Sequence, residues 1–168
     1  LATVALVTAL AACAPAAAPK PSPTPTGFAS KEEAFAAAEK TYRAYIDALN
    51  EVDLSDPATF EPLFALTAGD LNKMDRESFS QLHADQTVVA GRTEIVSIAP
   101  ISASSTEAQL SVCLDVSGVV LTDASGKSLV EKDRPDRRAE TATIKRTSSG
   151  DMKLVKIGDG PEGKECAG

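Results

Sequence analysis

The stretch HADQTVVAGRTEIVSIAP, residues 83 to 100, decides the fold, because the chain changes its period inside it. On its N-terminal side, apolar residues recur every three or four positions. Beyond Gly91 they recur every second position. Side chains repeat on one helix face with a period near 3.6 and on one strand face with a period of 2, so helices give way to strands here. Helices followed by strands that are joined only by turns indicate an α+β domain with an antiparallel sheet.

Three helices are expected upstream. Ser30 followed by Glu33 has the spacing of a capping box and opens a helix over 31–49, with Phe35, Ala38, Tyr42, Tyr45, Ile46 and Leu49 on one stripe. Asp56 before Pro57 suits the start of a short second helix that buries Phe60, Leu63 and Phe64. A third runs from Thr67 or Ala68 through Leu71, Met74, Phe79 and Leu82 to about His83. Downstream, strands are expected over 92–99, 108–121, 137–146 and 152–157, with turn residues at 102–106, 123–126 and 148–151. Leu110, Val112, Leu114 and Val116 share one face of the longest strand, which puts Cys113 on the other.

The 168 residues carry 17 Lys and Arg against 24 Asp and Glu, a formal charge of -7, which disfavours general nucleic-acid binding. The charge is uneven. Residues 28–90 hold 5 basic and 12 acidic side chains, whereas 91–168 hold 11 and 12. A solvated acidic helical face accounts for this, and a docking surface for a basic partner is the alternative.

LATVALVTALAA at 1–12 is an uncharged apolar run of signal-peptide length, too short for a permanent span. Leu10, Ala11, Ala12 and Cys13 form a lipobox-like sequence, in which a diacylglyceryl group joins the Cys13 thiol and cleavage makes Cys13 the first residue. No Lys or Arg precedes the apolar run, so the signal segment is read as incomplete. Residues 13–27 follow as a Pro-rich tether, whose 14 residues after Cys13 reach roughly 40 Å if extended as polyproline II. The domain occupies 28–168. The expected location is the outer leaflet of a bacterial plasma membrane, with membrane lipid as a partner through Cys13.

With Cys13 lipidated, Cys113 and Cys166 remain as a pair in an oxidising compartment, and a disulfide is expected between them. Two cysteines and the single His83 make no metal-ligand cluster, and no C-x-x-C is present. GKS at 126–128 lacks the glycine that a phosphate-binding loop needs five positions earlier, where Leu121 stands. No cofactor is implied.

The order helix, short helix, helix, sheet resembles the NTF2-like, or SnoaL-like, cone. The lipobox, the tether, VCLDVSGV at 112–119, LTDASGKSL at 121–129, DRPDRR at 133–138 and Cys166 resemble actinobacterial lipoproteins that carry such a domain, a group of generally uncharacterised role. The resemblance implies a curved antiparallel sheet of about four strands under three helices, and a Cys113–Cys166 bond. It departs at the last strand, where a Trp is frequent in that group and Met152 or Leu154 stands here.

Such a cone leaves a cavity that serves catalysts and binders alike. An enzyme needs an acid or base inside it, and the candidates by position are His83, Asp85 and Asp115, each of which is equally well explained as a surface or capping group. The expectation is therefore a non-enzymatic accessory or small-ligand-binding lipoprotein. A SnoaL-like isomerase or dehydratase and an interaction module contacting an envelope protein are the alternatives.

Overall fold

The computed structural model describes residues 27–160 and Cys166. The apolar leader, Cys13 and the tether lie outside the described residues.

Helix α1 spans Lys31–Asn50, and its capping box is formed: Ser30 Oγ accepts from the Glu33 amide at 3.1 Å, and Glu33 Oε2 from the Ala29 amide at 2.8 Å. Its buried stripe is Ala34, Ala38, Tyr42, Tyr45 and Ile46. The two alanines let its first half approach the sheet closely. Asp56 Oδ1 caps a 3-10 turn over Pro57–Phe60, which runs into the single-turn α2 at Glu61–Phe64. Phe60 and Phe64 meet Phe79 with ring centroids 5.4 and 5.9 Å apart, so the aromatic residues staple the short helix to α3, Gly69–Ala84. Leu71 is the one buried residue of α3. This helix stands at the rim of the core, and its inward row is only half covered.

The strands are β1 Val88–Ala90, β2 Glu94–Ala103, β3 Glu107–Asp115, β4 Val120–Thr122, β5 Arg137–Arg146 and β6 Met152–Asp159. An antiparallel sheet of order β2-β3-β5-β6 lies under α1, while β1 and β4 form a separate two-stranded ribbon. In β2 the register slips between Ile95 and Ser97 and again between Pro100 and Ser102, leaving Val96 and Ile101 as extra, outward-facing residues. A third slip lies between Thr143 and Ile144 of β5 against β6. Bulges bend and twist a sheet, and these give the cone its curvature. Ala108, Leu110, Val112 and Leu114 of β3, Ala142 and Ile144 of β5 and Leu154 of β6 face the helices.

The α+β cone expected from sequence is the observed architecture, with two corrections. The run 108–121 is not one strand. Asp115 Oδ1 accepts from the amide and hydroxyl of Ser117, and the Arg134 guanidinium donates to the carbonyls of Val116 and Val119, which turns the backbone out of the ladder. Val88–Ala90, which lies between the expected helical part and the first expected strand, is itself a strand that receives the displaced Val120–Thr122. A small ribbon is thereby added to the four-stranded sheet. It fits because Gly91 (φ +82°) passes so near Gly118 that a Cβ would lie 1.9 Å from the Gly118 carbonyl oxygen.

At the other end of β3, the Phe28 amide bonds to the Ser105 carbonyl at 2.7 Å, and the Arg146 guanidinium covers the Phe28 ring at 4.3 Å. The described chain therefore begins at the tip of the β2–β3 hairpin. Cys113 lies on the sheet face opposite α1 and is bonded to Cys166, with Cα atoms 5.5 Å apart.

Candidate functional site

Period-2 alternation along β5 puts Glu140 on the same face as Ala142 and Ile144, so its carboxylate is carried into the core. It is 4% exposed. The register that pairs Val112 with Glu140 brings that carboxylate under α1, where the Tyr42 hydroxyl donates to Oε1. The other oxygen lies 3.7 Å from Arg138 Nε. Burial, and then the charge of Glu140, raise the Tyr42 hydroxyl far above its ordinary range, so Tyr42 remains a protonated donor.

One turn along α1, Tyr45 is also buried, its ring centroid 6.2 Å from that of Tyr42. Burial raises its hydroxyl, and the carboxylates of Asp75 and Glu140 add to the effect. No described residue bonds the Tyr45 hydroxyl, which is left free to donate. Asp75 comes from the inward row of α3, four residues after Leu71 and four before Phe79. Burial pushes its carboxyl up to about 6, against a partly compensating hydrogen bond from Thr67. Its Oδ2 is sealed from solvent and has no partner among the described residues. A buried carboxyl oxygen without a donor costs stability, and such a group with a raised pKa is a candidate for chemistry.

Beside these groups is a cavity of about 270 Å³ between the ends of α1 and α3 and the β1–β4 ribbon. Leu49, Leu54, Phe79, Leu82, Val89 and Leu121 supply its apolar walls, and Asn50 and Thr93 its polar ones. Leu49 and Phe79 follow Tyr45 and Asp75 by four residues on their helices. The tyrosine and the carboxylate thus stand one helical turn, about 6 Å, along α1 and α3 from the cavity wall, and neither lines the cavity itself.

The three residues singled out in the sequence are not brought together. His83 Nδ1 lies 2.7 Å from the Leu54 carbonyl oxygen, with the ring edge toward Phe60. Asp85 is exposed at the end of α3 and accepts from Gln81 Nε2. Asp115 sits at the end of β3, where the Ser117 hydroxyl and amide hold its carboxyl below the usual range. None of the three lines the cavity. That Glu140 and Asp75 point inward was legible by period, since Glu140 alternates with Ala142 and Ile144 and Asp75 interrupts the Leu71–Phe79 row; which groups they meet was not. A charged residue in an inward row is the signal.

No family model matches this sequence, and no curated protein matches it. Solved structures do. A protein from Novosphingobium aromaticivorans provisionally named an aromatic ring hydroxylase is similar with a TM-score of 0.52 at 12% identity, over 76% of this chain and 88% of that one. The intermembrane space region of the chloroplast protein ARC6 gives 0.48 at 16%, over 71% and 91%. A protein from N. aromaticivorans provisionally named a scytalone dehydratase gives 0.46 at 16%, over 78% and 94%. At such identities the likeness concerns the fold, which is the NTF2-like, SnoaL-like cone. The similar protein with the TM-score of 0.52 carries an enzyme's name, and the expectation of a non-enzymatic domain is corrected on that finding.

Proposed function

We propose that the chain is a small-molecule enzyme of the isomerase or dehydratase kind, working by proton transfer at the buried acid and tyrosine one helical turn from the apolar cavity. The observation that carries this is Asp75: a half-buried carboxyl near pKa 6, one oxygen sealed and without a partner among the described residues, whose charge acts on the buried Tyr45 hydroxyl. A base is most effective when its pKa lies near the working pH, and at pH 7 Asp75 is ionised yet as basic as a carboxylate readily becomes.

The step balances as follows. Asp75 takes a proton from the carbon beside a substrate carbonyl, and the C–H electron pair moves into a C=C bond as the carbonyl oxygen becomes an enolate. Tyr45 donates a hydrogen bond to that oxygen. The Tyr42–Glu140 pair keeps the neighbouring hydroxyl protonated and the site rigid. Return of the proton to a different carbon completes an isomerisation. Loss of a β-hydroxyl as water, with the proton supplied by Asp75, completes a dehydration.

The test is hydrogen–deuterium exchange of an enolisable bicyclic ketone, 2-tetralone, followed by NMR in D2O. Exchange above the buffer rate, reduced at least about 100-fold in Asp75→Asn, is expected. Exchange at the buffer rate with the wild-type protein overturns the proposal.

We further propose that the domain 28–168 works outside the plasma membrane, held to its outer leaflet by lipid on Cys13 through the tether 13–27. The lipobox-like sequence and the Cys113–Cys166 bond support this, and no helix among the described residues is long and apolar enough to cross a membrane. Metabolic labelling with a palmitate analogue is expected to mark the full precursor's product and to be lost in Cys13→Ala. Unchanged labelling of the variant overturns the anchor.

A further inference from the structure

Asp75 stands at the inner end of a chain of hydrogen bonds that begins at the surface, and the direction of each bond follows from the group outside it. Arg76 comes four residues after Asn72 on α3, and its Nε donates to Asn72 Oδ1 at 3.2 Å. The guanidinium is itself pinned, since it pairs with Glu61 at 3.2 Å and covers the Phe64 ring at 4.3 Å. A guanidinium can only donate, so the Asn72 oxygen faces it and the amide NH2 faces inward. Both N–H groups are used there: Nδ2 donates to the Phe64 carbonyl and to Thr67 Oγ1, each at 2.8 Å.

Thr67 is 5% exposed, and its neighbours on either side are tied to β6. The Ala68 amide donates to the Leu154 carbonyl at 3.0 Å, and the Leu154 amide to the Leu66 carbonyl at 2.9 Å. A β-branched side chain on a fixed backbone has little rotamer freedom. With Asn72 donating to its oxygen, the Thr67 hydroxyl has one proton left to place. The Phe64 carbonyl is 3.4 Å away and already accepts from Asn72 and from the Thr67 amide. The Asp75 carboxylate, to which Thr67 also bonds, is the stronger acceptor.

We infer that Thr67 is a positioning residue for Asp75, its hydroxyl aimed at the carboxyl by Asn72 and, through Asn72, by Arg76. Oδ2 of Asp75 keeps no partner among the described residues, so it is the oxygen left to exchange a proton. The inference rests on the proton-transfer reading only for the use to which that oxygen is put. The other charged or titratable groups of this region are Tyr45 of α1, Glu140 and Arg138 of β5, Glu61 of α2 and Lys153 of β6, whose Nζ donates to the Ala65 carbonyl. None of them is altered in the variants below.

The test follows the Asp75 carboxyl by NMR in protein labelled with 13C at its aspartate carboxyls, the signal being assigned by its loss in Asp75→Asn. A hydrogen bond from Thr67 favours the ionised form, so removing it favours the protonated one. In Thr67→Val, which keeps the shape of the side chain, the titration midpoint is expected to rise by at least about half a pH unit, and in Thr67→Ser to return to the wild-type position. In Asn72→Leu the Phe64 carbonyl is freed to compete for the hydroxyl proton, and a smaller rise is expected. Thermal melting establishes that each variant is folded. A midpoint unmoved in Thr67→Val, raised as far in Thr67→Ser, or unmoved in Asn72→Leu overturns the inference. The acid limb of 2-tetralone exchange should move with the midpoint. The expected titrations in a protein that exchanges no 2-tetralone tell against the catalytic reading alone. Exchange whose acid limb stays in place in Thr67→Val tells against this inference alone.

Discussion

At Asp75, reactivity and stability pull in opposite directions. Its folded pKa lies above the unfolded value, so between about pH 4 and pH 6 the native state binds the proton more tightly than the unfolded chain does. Stability therefore falls as pH rises through that window and stays lowered above it. For a half-buried group, solvent screening reduces this to about 1–2 kcal/mol. Asp75→Asn is expected to melt higher than the parent at pH 8 and to converge with it near pH 4, which thermal melts across pH will check. Tyr42 and Glu140 behave as a unit. Tyr42→Phe leaves a buried carboxylate without its donor and should cost about 2 kcal/mol in denaturant titrations. Adding Glu140→Leu should recover part of that loss, because an apolar pair of similar volume leaves nothing unsatisfied. A double variant no more stable than Tyr42→Phe would show that the lost ion pair with Arg138 outweighs the relief.

The β1–β4 ribbon supplies one wall of the cavity, and two of its contacts are singular. One is the Gly91–Gly118 crossing, the other the Arg134 clasp. Gly91→Ala combines a disfavoured φ with a backbone clash and should cost at least about 2 kcal/mol, with hydrogen exchange accelerated at Val88–Ala90 and Val120–Thr122 before the main sheet. Unchanged protection there would mean that the ribbon is held by something else. Elements with strong local signals were legible in the sequence. The capping box and stripe place α1 to within a residue, and the alternation of 137–146 gives β5 its bounds. What could not be read is non-local. The break after Asp115 depends on Arg134, which is 18 residues from Val116, and the meeting of Tyr42 with Glu140 spans 98 residues. Local periodicity ranks faces inward or outward but does not say which inward residues touch. His83, Asp85 and Asp115 were chosen for their chemistry near chain turns, and turns are where solvent and backbone satisfy such groups.

For the whole molecule, the Cys113–Cys166 bond closes a separation of 53 residues and ties the end of the chain to the sheet face away from the helices. Restricting the unfolded chain in this way stabilises by about 2–4 kcal/mol. Reduction is expected to lower the melting temperature without abolishing the cavity, whose walls lie on the opposite side of the sheet. A melt insensitive to reductant would remove the bond from the account of stability. The Phe28–Ser105 junction has a different kind of consequence. It sits at the hairpin tip, while the ribbon and the cavity mouth sit beyond the other end of β3, nine residues and about 27 Å away. Gly27 therefore lies at the pole opposite the ribbon. A bead or fluorescent fusion attached at that pole should not obstruct traffic through the doorway.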